Sequence, residues 1–324
     1  MIKHKLKSTY NANLSLSAVS TPLYDTVDAA NTFYAYNNES IEATCKYTFT
    51  VNSKTLNIYV ADNCFETGDY PVTQTLVNYL AEKFLSDGTN DIYGWITDIY
   101  GAEWGTHSYT SELIDSSNTG NITILIYNIY EPLPGMAGFF WAKDNLSKDY
   151  YAYSNGRLMF YIDSYYLSHN NGADKDKIVS TLAHEFQHMI HFYQKAVSRS
   201  GFINSDTWID EMCSLTAEDL VADKLGLSAS DSVRGIIGTT YTAGSSGITY
   251  GRLPRFNNPA YYDSLTDWNS SLKDYSSAYA FGAYIARNYG GATLMGNIVQ
   301  NPYTDYQAVT TTTAANVSFS SLLK

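Results

Sequence analysis

Cysteine is scarce in this 324-residue chain, three in all, which excludes a disulfide-stapled scaffold or a zinc site built on thiolates. Cys45 and Cys64 flank strand-like runs and can be read either as a pair or as two separate buried thiols. Charge is also sparse, at 16% of residues against 44% apolar, so the chain can bury a large core, unlike a charge-rich disordered one. Positive charge is the scarcer sign. With 20 Lys+Arg beside 32 Asp+Glu the net charge is −12, a surface that repels phosphate backbones and anionic lipid, so nucleic acid is not an expected partner. No run reaches the roughly 18 consecutive apolar residues of a membrane span. Met1 to Ser20 has a basic start without an apolar stretch behind it, so it does not read as a secretion signal. Tyrosine, by contrast, is abundant, with 30 copies.

Residues 1–54 are rich in Ser, Thr, Asn and Tyr and carry one alternating run, Cys45 to Val51, which reads as a strand in a β-rich accessory segment. From Thr55 the pattern sharpens. TLNIYVAD reads as a buried strand, Asp69 and Pro71 open a helical run to Phe84, and Ile122 to Tyr130 and RLMFYID read as further strands. Strands mixed with helices predict an α/β lobe over 55–200 with one central sheet. Pro132 to Asn145 is a Gly/Pro-punctuated loop carrying Phe139, Phe140 and Trp141; GFFWA reads equally as an edge strand able to pair with an extended peptide or as core.

From Asp174 a helix is predicted through YQKA, with acidic residues at its start and Lys195 near its end, the polarity a helix dipole favours. A second helix runs from an Asp206 N-cap through TWIDEMCSLTAEDLVADKLG to Gly226. Gly-rich turns follow, then SSAYAFGAYIARNY, a helix ended by Gly290 and Gly291, and a polar Thr-rich tail. Residues 201–324 therefore read as a helical lobe.

His184, Glu185 and His188 form H-E-x-x-H inside the first of these helices. Residues i and i+4 share a helical face one turn apart, so the two imidazoles can converge on one Zn²⁺ at about 2.0–2.1 Å. Glu185 lies about 100° round the helix, where it can reach a metal-associated water without ligating. By composition alone the pattern arises about three times in a thousand. Ile178, Leu182, Phe186 and Ile190 already supply the packing, which leaves the histidine pair without a structural purpose.

A catalytic zinc takes three protein ligands and a water. The metzincin pattern requires Gly where His191 stands and His where Gln194 stands, so that class is excluded. A gluzincin arrangement takes a Glu from a following helix, and Glu211 is the first after the motif. Glu211 is the expected third ligand, with Glu218 next and Asp210 after it. His191 shares the histidine face but reads as structural, and His4, His107 and His169 as ordinary surface or core groups, His107 keeping a chance of reaching the site as a donor.

AHEFQHMIHFYQK together with TWIDEMCSLTAEDL resembles the hyicolysin family of zinc metalloendopeptidases, a bacterial group of gluzincin type. The resemblance is strongest from Thr181 to Leu220 and extends, more weakly, back through FYIDSYYL, GFFWAKD and LNIYVAD and forward to YAFGAYIARNYGG. It implies an α+β, two-lobed, zincin-like (thermolysin-like) fold: a mixed-sheet N-terminal lobe, a helical C-terminal lobe and the metal between them. It implies His184, His188 and Glu211 as ligands, Glu185 as catalytic acid/base, and an extracellular or cell-surface peptidase whose export signal is already removed. The thermolysin pattern places an Asp four residues after the ligand Glu to orient an imidazole, whereas Leu215 stands there in this chain. Ser214, Glu218 and Asp219 remain as candidates to accept an imidazole N–H.

The expected activity is hydrolysis of peptide bonds in a protein or peptide substrate by a zinc-activated water, with Glu185 taking the water's proton and passing it to the leaving amine, and one zinc per chain. Tyr275 and Tyr279, i and i+4 on the C-terminal helix, are the candidate oxyanion donors, one rather than both equally and with core packing as the alternative, and His107 or Arg287 stand behind them. A zinc aminopeptidase and a non-catalytic adhesin that retains the metal are the rival readings. Calcium is conceivable at Asp174 to Asp176, but no calcium-loop spacing is present and solvated charge is the better reading.

Overall fold

The computed structural model describes residues 25–227, 233, 252–258, 264–313 and 317–324. The Met1 to Ser20 segment and most of the Gly-rich turns beyond Gly226 lie outside the described residues.

Three antiparallel strands open the chain: β1 (Ala30–Tyr34), β2 (Ser40–Val51) and β3 (Lys54–Ala61). The β2–β3 hairpin turns on Asn52 and Ser53, both at positive φ (50° and 62°), the two-residue geometry whose twist matches the flanking strands. Residues 30–51, read from sequence as accessory, thus form one side of the same sheet that carries β3. Next come helices α1 (Gln74–Phe84), capped by Thr73, and α2 (Ile92–Tyr100), capped by Asp91. They are followed by β4 (Asn121–Tyr127), β5 (Gly138–Phe140) and β6 (Leu158–Asp163). The six strands lie in the order β1-β2-β3-β4-β6-β5, with β3, β4 and β6 parallel and β5 antiparallel on the far edge. Every residue of β6 and nearly all of β3 and β4 is buried, which explains their almost continuous apolar runs, since a parallel centre is covered on both faces.

The second half is helical: α3 (Lys175–Phe192), α4 (Thr207–Ala222), the short α5 (Arg252–Phe256), α6 (Leu272–Tyr289) and α7 (Gly291–Gln300). Among the described residues no helix is long and apolar enough to cross a membrane. The architecture is mixed α+β.

α3 lies against β5 and β6 on one side and α4 on the other. It ends in a π-helical turn, Tyr193–Val197. There Lys195 does not sit in solvent answering the helix dipole; its Nζ is buried and donates to the carbonyls of Ile298, Asn301 and Tyr303 at 2.6–2.8 Å, tying the HExxH helix to the end of α7. Asp206 occupies the N-cap position of α4 as predicted, but its side chain makes no capping bond. α6 starts earlier than its sequence pattern suggests, at a Ser271–Asp274 capping box.

Of the two readings left open for Cys45 and Cys64, the structure has both free and buried. Asp174 meets His169 Nδ1 at 2.7 Å and Asp176 accepts from the Tyr79 hydroxyl.

Candidate metal centre

α3 buries Ile178, Leu182, Phe186 and Ile190 against the sheet and α2, while His184 and His188 face α4 at the edge of the core. Their Nε2 atoms are 3.1 Å apart. Glu211, in the second turn of α4, brings Oε2 to 3.4 Å from His184 Nε2 and 3.6 Å from His188 Nε2. Ligand atoms about 2.0–2.1 Å from a zinc and separated by the tetrahedral angle stand about 3.4 Å from one another. The triangle His184 Nε2, His188 Nε2 and Glu211 Oε2 has that size. Glu211 Oε2 is, moreover, buried with no hydrogen-bond partner among the described residues, a costly state for a carboxylate oxygen unless a cation faces it. The donor set therefore fits a tetrahedral divalent metal.

The other nitrogen of each imidazole is occupied by a carboxylate. His184 Nδ1 meets Glu218 Oε1 at 2.7 Å, and His188 Nδ1 meets Asp210 Oδ1 at 2.8 Å, with Ser214 Oγ at 3.0 Å. Such partners place the proton on Nδ1 and leave Nε2 free to ligate. Asp210, weighed from sequence as a ligand, lies on the Nδ1 side of His188 rather than with Glu211 on the Nε2 side. Of the three candidates to accept an imidazole N–H, Glu218 and Ser214 take part, while Asp219 is turned away to Arg287 at 2.6 Å.

Burial disfavours the His184 imidazolium, but Glu185, Glu211 and Glu218 outweigh it and raise its pKa to about 9. Burial alone would raise the Glu211 carboxyl too, and the imidazoles of His188 and His184 reverse the effect, holding it well below the usual carboxylate range. A divalent cation would compete with these protons for the Nε2 atoms. Glu185 is 5% exposed, and burial pushes its carboxyl upward against the opposing pull of both imidazoles. Its carboxylate lies within 4.8 Å of the histidine nitrogens.

Tyr275 and Tyr279 part company. The Tyr275 hydroxyl donates to Glu211 Oε1 at 3.3 Å, whereas Tyr279 is wholly buried in the core. The two share a face of α6 yet stand about 6 Å apart along its axis, and only the first is level with Glu211. His107 is engaged elsewhere, its Nε2 on the Ile114 carbonyl at 3.0 Å and its ring against Trp104. His191 is 2% exposed and held by Ser205 Oγ at 2.8 Å and Asp210 Oδ1 at 3.4 Å, a structural placement beside the site. Sequence reasoning did not single out Arg252 on α5, whose guanidinium lies 5.2 Å from the centre of the Tyr275 ring; five helical residues in a Gly-, Ser- and Thr-rich stretch of sequence give no periodic signal to find it by.

β5 completes the surroundings. A Cβ on Gly138 would stand 2.6 Å from the Tyr161 carbonyl oxygen and 3.3 Å from Glu185 Cγ, so glycine is what lets this edge strand close on the HExxH helix. Phe139 stacks on Tyr161 and Phe140 packs against Phe192. GFF is therefore both edge strand and core.

The neutral metalloprotease ShpI of Staphylococcus hyicus is 25% identical to this chain over 320 residues, 95% of the chain, which in turn spans 62% of that relative's length. Among solved structures, the M1 zinc metallopeptidase from Deinococcus radiodurans aligns with 91% of this chain and 54% of its own, at 13% identity and a TM-score of 0.35. The family model for peptidase M30 matches residues 37–323, which take in the site and every strand of the sheet but β1, and this chain belongs to the peptidase M30 family.

Proposed function

We propose that this chain is a zinc-dependent metalloendopeptidase of the hyicolysin type, acting outside the cell on protein or peptide substrates. The observation that carries the reading is the 3.1–3.6 Å triangle of His184 Nε2, His188 Nε2 and Glu211 Oε2, closed by an otherwise unpartnered carboxylate oxygen. Membership in a peptidase family and the similarity to a neutral metalloprotease support it. A thermolysin-like division, with the metal between the sheet lobe and the α4–α6 helices, accords with ligands drawn from α3 and α4.

A zinc ion held there supplies Lewis acidity to a substrate carbonyl and lowers the pKa of water. Glu185 takes the proton of the attacking water and returns it to the leaving amine. Tyr275, close to Glu211 at 3.3 Å, donates its hydroxyl hydrogen to the oxygen that gains charge. Glu218 and Asp210 hold the imidazoles in register. Among the described residues β5 pairs with β6 along one side only, and its other backbone edge, next to Glu185, offers hydrogen bonds to an extended peptide.

The test is Glu185→Gln. It is expected to keep the fold and the bound zinc while peptide turnover falls at least 10²-fold, because an amide cannot accept the water's proton. Turnover near the parental rate would end Glu185's part in the reading.

A further inference from the structure

A small pocket lies against the candidate metal centre, where the end of α3 and the start of α4 meet β5. The rings of Phe140 and Phe192 line it together with His188, His191, Ser205 and Asp210. Asn204 and Thr207 also line it and are exposed, so it is open to solvent. Its free space is about 10 Å³, room for one water-sized group. The charged and ring-nitrogen groups around it are already engaged. Lys195 spends its ammonium on the carbonyls of Ile298, Asn301 and Tyr303. His191 Nε2 meets Ser205 Oγ at 2.8 Å, and His188 Nδ1 meets Asp210 Oδ1 at 2.8 Å. What remains to discriminate between occupants is size.

The aromatic side is braced from behind. Phe192 packs against Phe140 and Phe202, with ring centres 6.0 and 5.6 Å away, and Phe202 packs against Tyr109 at 5.3 Å. Phe202 holds a φ of 51°, a left-handed conformation rare for a bulky residue and kept only where packing enforces it. The ring that backs Phe192 is therefore fixed, and a close-packed wall does not swing aside for a larger guest. The place of the pocket matters as much as its size. His188 lines it, and the Nε2 of the same ring faces Glu211 Oε2 at 3.6 Å, so the pocket is one imidazole away from the metal centre. β5 passes Glu185 at Gly138 and reaches Phe192 at Phe140. A peptide pairing antiparallel to β5, the more stable arrangement, runs the opposite way, which puts its amino-side residues at Phe140. Side chains alternate between the two faces of a strand, so one of two successive residues there points to the α3 side, where the pocket lies.

We propose that this is a specificity pocket, which admits a side chain no larger than that of alanine or serine from the first or second residue on the amino side of the cleaved bond. The proposal rests on the peptidase reading given above. Phe140 and Phe192 are then the residues that set the limit, and longer side chains are refused by collision rather than by charge.

The experiment uses blocked peptides in which the first and second residues before the cleaved bond are varied in turn through Gly, Ala, Ser, Val, Leu and Phe, with products identified by mass. kcat/KM is measured on the zinc-loaded chain, and the same peptides are titrated onto the zinc-loaded Glu185→Gln chain, where binding is read without cleavage. At one of the two positions Ala and Ser are expected to exceed Leu and Phe at least 10-fold in both readouts, the lower end of what a single methylene decides in a pocket. Phe192→Ala is expected to shift the Leu-to-Ala ratio toward Leu at least 10-fold at that position, whereas a general structural lesion lowers both rates alike. A parent chain that takes Leu or Phe as well as Ala at both positions overturns the proposal, and so does a folded Phe192→Ala chain with the parental ratio. A zinc-loaded parent that cleaves none of the peptides overturns the peptidase reading, and the role of the pocket with it.

Discussion

Glu218 accepts from His184 Nδ1 at 2.7 Å, from a position two helical turns along α4 from Glu211. One helix thus supplies both the oxygen that faces His184 Nε2 and the carboxylate that holds the opposite nitrogen of the same ring. The thermolysin arrangement takes its orienting Asp from one turn beyond the ligand; Leu215, buried, fills that place here. In this chain the carboxylate on His184 Nδ1 comes from Glu218, one turn further along.

Glu218→Gln tests this division of labour. The amide oxygen can still accept from Nδ1, but the negative charge that raises the ring's basicity is lost, so zinc affinity is expected to drop about 10- to 100-fold, as for other groups that orient a ligand. Glu211→Ala is expected to lose far more, because it removes a ligand. Chelator competition measures both, and equal affinities in the two variants would reassign the third ligand.

Tyr275→Phe is expected to lower kcat by roughly 10²–10³ with zinc content unchanged, the scale for one oxyanion donor. Tyr279→Phe is expected to leave kcat intact, since its hydroxyl lies in the core rather than at Glu211. Steady-state kinetics on a blocked peptide separate them, and the opposite ranking would move the donor one turn along α6.

How far the site was legible follows from which distances sequence can carry. The His184–His188 pairing needs only helical spacing, and Glu211 needs only its place as the first Glu on the next helix. The choice of Tyr275 over Tyr279 depends on how far α6 slides along α4, which is set by close packing at Gly282, where any Cβ would collide with Thr216 and Met212. Periodicity carries no such shift. α2 went unread because IYGWITDIY is apolar nearly all round, and only its Asp91 cap marks it as a helix. The β1–β2 pair could not be assigned to the main sheet because register with β3 is a long-range property. Arg252 has no pattern at all, only a place in space.

Asp163 offers a check remote from the metal. It ends β6, accepts the amides of Ile129, Tyr130 and Tyr166 at 2.7–3.0 Å, and so ties the loop leading to β5 to the sheet. Burial nevertheless pushes its carboxyl from the ordinary 3.8 up to about 6. Between those values the folded chain holds a proton that the unfolded chain has released, so stability falls as pH rises through about 4 to 6, by up to ~3 kcal/mol from this group. Asp163→Asn is expected to carry a constant cost but to lack that part of the slope. Urea midpoints of both chains from pH 4 to 6.5 measure the difference, and parallel curves would show that Asp163 titrates normally.

The central claim is that His184, His188 and Glu211 hold one catalytic zinc. It is tested most directly by metal analysis of the purified chain, paired with cleavage of casein before chelation, after chelation and after zinc is restored. One zinc per chain, activity lost with the metal and recovered with it, is the predicted result. Full proteolysis by a preparation shown to contain no metal would contradict it.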